Sequence, residues 1–455
     1  MTSAPKSRVL DKGLWGMSRP MFIDQAVIYT IPLADMFFLS RVSDDAAAAV
    51  GAVTPLVFVA NQFLTVSAFS GAAIASQRIG ANDYARGNAT IAAYTLFAIL
   101  LALIAALVVN NGGPWVASAM SLTPDIEAHA RTYLSIIGWM VALWGLRVVY
   151  QTVLNIYGEP KWNTYSNILI FIVNILGNCI AVYGFMGIPP SGVAGVAIAG
   201  VVAAGSGLLF LMMMVHWKLH IRIPMTAGIK NFGVLITPVL MIAAPSILEP
   251  MSFQAYMIVL NWVAAEVSDL ALKVKIYAYN TFLFCLMISI AMSMATEAII
   301  AQRVGRGEFE LVDRQLRQTL RYTLIGTSIL AFLWFVFNKP VLSLFTANPE
   351  VIAIGFWAFF WSFLAEPCRT TNIVVGAALR CTGDAAFTSL SSIGIIWLFS
   401  VPLAYILALP MGLGLYGILI AAVADELVRA IVKLWRWRQG KWKSTGVIAR
   451  ERKVA

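Results

Sequence analysis

Charge is what this sequence has least of. Only 12% of its 455 residues are Asp, Glu, Lys or Arg, against 60% hydrophobic, whereas a soluble globular chain is about one quarter charged. A water-soluble fold is therefore excluded. Histidine (three) and cysteine (four) are scarce as well. Cys179, Cys285, Cys368 and Cys381 lie in or beside apolar stretches with no CxxC spacing and no His partner, so neither a disulfide framework nor a metal centre is expected. No deep His, Cys or paired-Asp motif supports catalysis, so an enzyme is not expected, and no cofactor. A channel would need a pore-loop or selectivity-filter pattern, and none is found. No short signal-type apolar region precedes the first long one, so no cleavable leader is expected.

What is present is apolar sequence in long runs. "IAAYTLFAILLALIAALVVN" (91–110) has the roughly 20 residues needed to cross a hydrocarbon core about 30 Å thick. About twelve such segments are centred near residues 30, 62, 100, 143, 172, 203, 251, 286, 327, 365, 397 and 423. The basic residues alternate by loop. Lys6, Arg8, Lys12 and Arg19 precede the first span, and Arg78, Arg86, Lys161, Lys218, Arg222, Lys230, Arg303, Arg306, Arg314, Arg317, Arg321 and Arg380 follow even-numbered spans. More stand at the end, from Arg429 and Lys433 through Arg450, Arg452 and Lys453, while the opposite loops hold few. By the positive-inside rule both termini are expected in the cytoplasm, with the chain in a bacterial inner membrane. The net charge of +10 is then a topology signal, not a nucleic-acid surface. "KLWRWRQGKWK" (433–443) reads as an interfacial anchor, with Trp and Lys at headgroup level.

The chain also repeats itself. "SQRIGANDY" (76–84) meets "AQRVGRGEF" (301–309) at an offset of 225, which carries Pro20 onto Pro245, Asp24 onto Glu249, "VSD" (42–44) onto "VSD" (267–269), and Gly158 onto Gly383. The expected architecture is all-α and polytopic: twelve transmembrane helices in two six-helix halves. Six is even, so the halves are parallel repeats. The boundaries read as an N-terminal lobe, 1–215; a cytoplasmic linker, 216–235; a C-terminal lobe, 236–440; and a basic tail, 441–455. Proteins of this plan place a substrate between their lobes and transport it by rocking one against the other.

Few polar residues interrupt the spans. In "IYTIPLADMFFLSR" (28–41), Asp35 lies roughly 24 Å up the helix from Arg19 and about 9 Å short of Arg41. Asp is too short to snorkel, so it must face a cavity or partner, or hold a proton; burial favours the neutral acid, which makes it a candidate proton carrier. In the fifth span, Asn163, Asn167, Asn174 and Asn178 are spaced 4, 7 and 4, which puts them on one face. Asn174 and Asn178 bracket the height of Asp35. Their oxygens and its carboxylate form a set that can ligate a small hard cation such as sodium, or hold a proton on Asp35; amide packing between helices is the plainer alternative. In the second half Glu249 sits on the seventh span and Glu366, Arg369 and Asn372 on the tenth, at i, i+3 and i+6. Glu366 and Arg369 can neutralise each other, and Glu249 lies at a depth similar to Arg369. Arg147, on the fourth span, is the remaining buried cation. For these charges, structural pairing and coupling are both open. Pro20 and Pro32 in the first helix, matched by Pro245 and Pro250 in the seventh, are candidate hinges.

The paired "QRIGANDYARGN" and "QRVGRGEFE" loops, "LNIYGEP" with "ALRCTGDAAF", "GVAGVAIA" and "GLGLYGILIAAVADELVRA" resemble the multidrug and toxic compound extrusion (MATE) transporters, from about Pro20 to Trp442. The resemblance implies an exporter of amphipathic or cationic organic compounds, driven by inward flow of protons or sodium. It implies that Asp35, fifteen residues after Pro20, is the coupling acid whose protonation bends the first helix. The family's polar pair on the fifth helix falls on Asn174 and Asn178, where some members have an acid at the second position. Gly200 stands where a threonine is often found, and Arg369 where members coupled through the second lobe carry an aspartate; Glu249 matches the seventh-helix acid. Expected partners are small-molecule substrates, a proton or sodium ion and membrane lipids, with no nucleic acid, and the chain is expected to work as a monomer. The alternative is a lipid or glycolipid flippase of the same wider superfamily. That would need a strongly basic cavity, for which only Arg147 and Arg369 are deep enough.

Overall fold

A computed structural model of the chain describes residues 6–446, apart from 121, 186, 188 and 347. Arg450, Arg452 and Lys453 lie outside the described residues. Twelve long helices succeed one another: α1 (Val9–Val42), α2 (Asp44–Gly80), α3 (Tyr84–Leu107), α4 (Pro124–Ile156), α5 (Lys161–Tyr183), α6 (Gly192–Met213), α7 (Phe232–Val267), α8 (Asp269–Arg306), α9 (Phe309–Val336), α10 (Pro349–Cys381), α11 (Ala385–Ala408) and α12 (Leu415–Arg438). Among the described residues eleven helical segments, those of α1 to α11, are long and apolar enough to cross a membrane. α12 is long enough but carries Asp425, Glu426, Arg429 and Lys433, all buried.

The chain divides into two compact units, Met1–Leu240 and Met241–Ala455. In the first, α2 packs on α3 and α4, α3 on α4, α4 on α6, and α5 on α6. In the second, α8 packs on α9 and α10, α9 on α10, α10 on α12, and α11 on α12. Six-helix repetition is therefore visible in packing as well as in sequence. Each unit has its own apolar core. One is built from residues such as Val53, Leu64, Leu134, Val141 and Val196, the other from Val274, Phe282, Leu342 and Phe359.

The repeated motifs have local physical reasons. Ser43 and Ser268, the centres of the two "VSD" copies, have extended backbone and accept from the amides of Ala46 and Ala271, at 3.0 Å each. Each caps the next helix, and Asp44 and Asp269 place negative charge at its N-terminal dipole. Gly158 and Gly383 close α4 and α10 with φ of +79° and +96°. A Cβ on Gly158 would lie 2.7 Å from the backbone of Arg8 and Val9, and one on Gly383 2.5 Å from the carbonyl oxygen of Thr445. Glycine is required at both places by conformation and by the close passage of another stretch of chain. Glu159 and Asp384, the next residues, form ion pairs, Glu159 with that passing chain and Asp384 with α12. Glu159 lies 3.2 Å from Lys12, and Asp384 2.6 Å from Arg436. Gly158→Ala is expected to cost ~1–3 kcal/mol, the usual cost of a side chain held in a left-handed backbone, seen as a lower melting temperature in detergent. Gly112→Ala, where a Cβ meets nothing within 4 Å, should leave it unchanged.

Two expectations change. The first helix starts at Val9, because Val9, Leu14, Met17 and Met21 turn inward and are buried; the polar residues between them hid that face. Within α1 the residue with non-helical angles is Gly13 (φ 58°, ψ −168°), while Pro20 and Pro32 lie inside the helix. Proline keeps a helical φ and forfeits only one backbone bond, so the helix runs through both. Lastly, "KLWRWRQGKWK" is largely not an interfacial anchor. Lys433, Trp437 and Trp442 are buried, the two indoles stack at 4.3 Å, and Trp437 donates to Asp313 at 2.9 Å. Trp435, Lys441 and Lys443 remain exposed.

Candidate functional site

α1 and α5 lie against each other, and their polar residues meet at two heights. At the upper one, Asn178 Nδ2 donates to Asp35 Oδ1 at 2.7 Å and to Asn174 Oδ1 at 3.2 Å. Asn174 and Asn178 are almost fully buried, and Asp35 is half-buried. The three residues brought together here are those that share a depth by helical rise. Asn178 Oδ1 is buried and has no hydrogen-bond partner. The Asp35 carboxylate and Asn174 Oδ1 are oxygen ligands for a hard cation, and a turn of the Asn178 amide would add its Oδ1. They can equally accommodate a protonated carboxyl, whose O–H becomes a donor.

Asp35 and Asn174 line a cavity of about 50 Å³, walled by Tyr133, Ile137, Met140 and Trp144 of α4, by Ile31 and Ile170, and by small residues of α6 including Gly200 and Ala204. The space suits an ion and a few waters. It is far below the roughly 300 Å³ or more of a drug-sized site. With Val196, Gly200, Ala203 and Ala204 at the cavity, the α6 wall offers no hydroxyl.

At the lower height, the other two asparagines are committed elsewhere. Asn167 donates to Asp24 Oδ1, and Gln151 to Asp24 Oδ2 at 3.1 Å. Asn163 donates to Asn155 Oδ1 at 2.9 Å and to the Gln151 carbonyl at 3.3 Å. Asp24 is a fully buried acid that enters the sequence reading only as the repeat partner of Glu249. Its signal was available: it lies eleven residues before Asp35, as Asn167 lies eleven before Asn178. Arg147 is buried as expected, with its guanidinium 4.2 Å from the Trp144 ring centroid. Pro20 contributes its carbonyl, which accepts from Thr164 Oγ1 at 2.9 Å.

The second unit holds a different kind of cluster. Arg369 pairs with Glu366 on its own helix, and its Nε also reaches Glu426 of α12 at 3.2 Å. Asn372 donates to Glu426 at 2.9 Å. Arg429 pairs with Asp425 and, at 3.2 Å, with Glu426, while Ser400 donates to Asp425 at 2.5 Å. Glu249 does not share this network. It meets Lys433 at 3.1 Å and Arg380 at 3.5 Å, and accepts from Ser389 at 3.2 Å. The similar depth of Glu249 and Arg369 was thus no guide to pairing, because helical rise fixes height and not direction around the axis. The residues missed are Asp425, Glu426, Arg429 and Lys433. Their one-face spacing in a largely apolar helix was the signal, and grouping Arg429 and Lys433 with the basic residues at the end of the chain concealed it.

In the second unit, then, Glu249, Glu366, Asp384, Asp425 and Glu426 are each matched with a cation. Asp35 has amides as its partners and opens on a cavity.

Comparison with known proteins agrees with this architecture. The family model described as MatE matches residues 20–180 and again 245–406, two copies whose starts are 225 residues apart. An uncharacterized transporter, YisQ, of Bacillus subtilis is 28% identical over 436 residues, covering 95% of each chain. A probable multidrug resistance protein, NorM, of Thermotoga maritima is 23% identical, over 98% of this chain and 97% of its own. Among solved structures, a MATE protein in a straight conformation superposes with a TM-score of 0.87 at 20% identity, covering 96% of this chain and 99% of its own. A MOP superfamily transporter from Pyrococcus furiosus gives 0.87 at 19% identity, over 96% and 98%.

Proposed function

The chain belongs to the MatE family, and on that premise we propose that it is a secondary antiporter exporting amphipathic or cationic organic compounds in exchange for protons or sodium. It is a polytopic membrane transporter and not an enzyme. The proposal concerns its cargo, its driving ion and its residues. Asp35 is the coupling acid, assisted by Asn174 and Asn178, and the two halves alternate access to the two sides of the membrane. The chain sits in a bacterial inner membrane with both termini cytoplasmic, as its loop charges favour.

The observation that carries this reading is the setting of Asp35. A carboxylate held by amides in mid-span, beside a cavity of ion size, is stable when it binds a cation or proton and costly when it does not. Its charge state is therefore coupled to helix packing. The multidrug name of the Thermotoga maritima relative supports the cargo class. Because the cavity at Asp35 is too small for such cargo, Asp35 acts on transport through α1 and not by enclosing the drug. Glu249, Glu366, Arg369 and Asn372 serve chiefly to hold the second unit together, since Glu249 and Glu366 each have a cation against them. The commitment of Arg369 to two acids also weighs against a flippase, which would need free basic groups for a phosphate head.

The test is efflux of ethidium from proteoliposomes containing the purified chain. A proton gradient without sodium, and a sodium gradient at clamped pH, are imposed in turn. One of the two is expected to accelerate efflux against the ethidium gradient. Efflux that responds to neither would overturn the antiport reading.

A further inference from the structure

The ion pairs of α10 and α12 join into one chain of alternating charge. Glu366 pairs with Arg369, Arg369 with Glu426 at 3.2 Å, Glu426 with Arg429 at 3.2 Å, and Arg429 with Asp425. Both ends of this chain are acids, so three carboxyl groups share two guanidiniums. All three acids are buried, Glu366 completely.

Among the described residues, the helices around this chain supply no third cation. Lys433, the next cation on α12, is held by Glu249 together with Arg380. Both of those cations lie beside Gly376, ten residues or ~15 Å along α10 from Glu366. Tyr279 and Cys285 of α8 and Tyr256 of α7 face the network, and none of them can carry positive charge. The charged residues of α8 stand ten or more residues from Cys285 on either side, which is ~15 Å or more of helical rise. On α9 the ionisable residues end at Tyr322, short of the level where Thr327 meets Thr370. α11 has only Tyr405.

The three acids are not equally provided for. Glu426 meets both guanidiniums and accepts from Asn372 at 2.9 Å. Asp425 meets Arg429 and accepts from Ser400 at 2.5 Å. Glu366 has Arg369 alone, through Oε1, and its Oε2 is buried without a hydrogen-bond partner. The hydroxyl one turn further along α10 is engaged elsewhere: Thr370 donates to Thr327 at 3.0 Å and bonds Ser289 at 3.1 Å.

We propose that Glu366 holds a resident proton, which leaves Arg369, Glu426, Arg429 and Asp425 as two balanced pairs of charges. With all three acids ionised, the network would carry a net negative charge in a dry core, and half of one carboxylate would go unbonded; an uncompensated buried charge is among the costliest features a core can hold. A neutral acid removes the excess charge and leaves only a polar oxygen unbonded. Its carbonyl oxygen Oε1 still accepts from Arg369, and the proton sits on Oε2. Of the three acids Glu366 takes the proton because it has the fewest donors to lose. Asp35 opens on a cavity, whereas Glu366 is fully enclosed. Its proton therefore belongs to the fold of the second unit and is not a driving ion.

The test is Glu366→Gln, made in an Asp35→Asn background so that the outcome does not depend on the role of Asp35. Two quantities are read on the purified protein in detergent at neutral pH: the melting temperature, and the infrared C=O stretch of neutral carboxyl groups, which stands apart from the carboxylate bands. Glutamine has the shape of a neutral glutamic acid and offers an oxygen to Arg369. The melting temperature is therefore expected to stay at that of the background, and the neutral-acid band to shrink by one carboxyl group per chain. An unchanged band overturns the proposal. So does a variant that fails to fold or melts as low as Arg429→Met, because Glu366 would then be needed as a charge. A melting temperature that rises with added sodium in the background protein, and not in Glu366→Gln, would put a metal ion where the proton is assigned and overturn it as well.

Discussion

Asp35→Asn should reduce ion-coupled ethidium exchange to the level of protein-free liposomes, while dye binding to the purified protein stays near wild type. Asparagine has the shape of a neutral carboxyl group, so the substitution fixes the side chain in its uncharged form. The bond to Asn178, 2.7 Å long in the native chain, can persist after rotation of one amide, because an amide offers both donor and acceptor. Nothing in the packing of α1 on α5 need be lost. What is lost is the alternation between a charged and an uncharged residue in mid-span, which costs several kcal/mol in apolar surroundings and gives the ion its hold on α1. Measuring exchange and binding on the same preparation separates coupling from folding. Exchange at the wild-type rate would remove Asp35 from the mechanism.

The second large effect is expected in the other unit and concerns stability. Arg429 has a side chain only 5% exposed, paired with Asp425 and Glu426, and lies 5.8 Å from the Phe253 ring centroid. Arg429→Met keeps the volume and the ring contact but leaves Asp425 with Ser400 alone. Breaking a buried pair from one side costs about 3–5 kcal/mol, because the remaining charge is uncompensated. Thermal unfolding in detergent should therefore shift strongly downward. Asp425→Asn/Arg429→Met should recover most of the loss, since it removes the orphaned charge. Arg317→Ala offers the contrast: its partner Asp313 is on the same helix and the arginine side chain is 77% exposed, so the loss should be at most ~1 kcal/mol. Equal losses for Arg317→Ala and Arg429→Met would mean that the α12 cluster is not the dry network its burial indicates.

Much of this was legible in the residues, for identifiable reasons. A chain solvated by lipid declares its spans through composition, and the alternation of basic loops orders them. The offset of 225 survived because it preserves local necessities. Ser43 and Ser268 must cap, and Gly158 and Gly383 must take a positive φ beside a passing strand of chain. The meeting of Asp35 with Asn174 and Asn178 was legible too, since rise along a helix gives depth and three polar groups at one depth have few places to go. Asp24 was readable in principle, but its contacts were not. In the sequence it figured only as the repeat partner of Glu249, and the burial of the first turns of α1 depends on what packs over them.

The sequence by itself determined the lipid-solvated class, the twelve helices, the doubled plan and the depth of each polar group. Those follow from composition, from period and from a fixed 1.5 Å rise. Only the tertiary structure decided which group answers which: Glu249 with Lys433, 184 positions away, Arg369 with Glu426, and Asp24 with Asn167 and Gln151. Pairing depends on how each helix is rotated and which neighbour it faces. That is set by the packing of all the helices of a unit at once, and no single span contains the information.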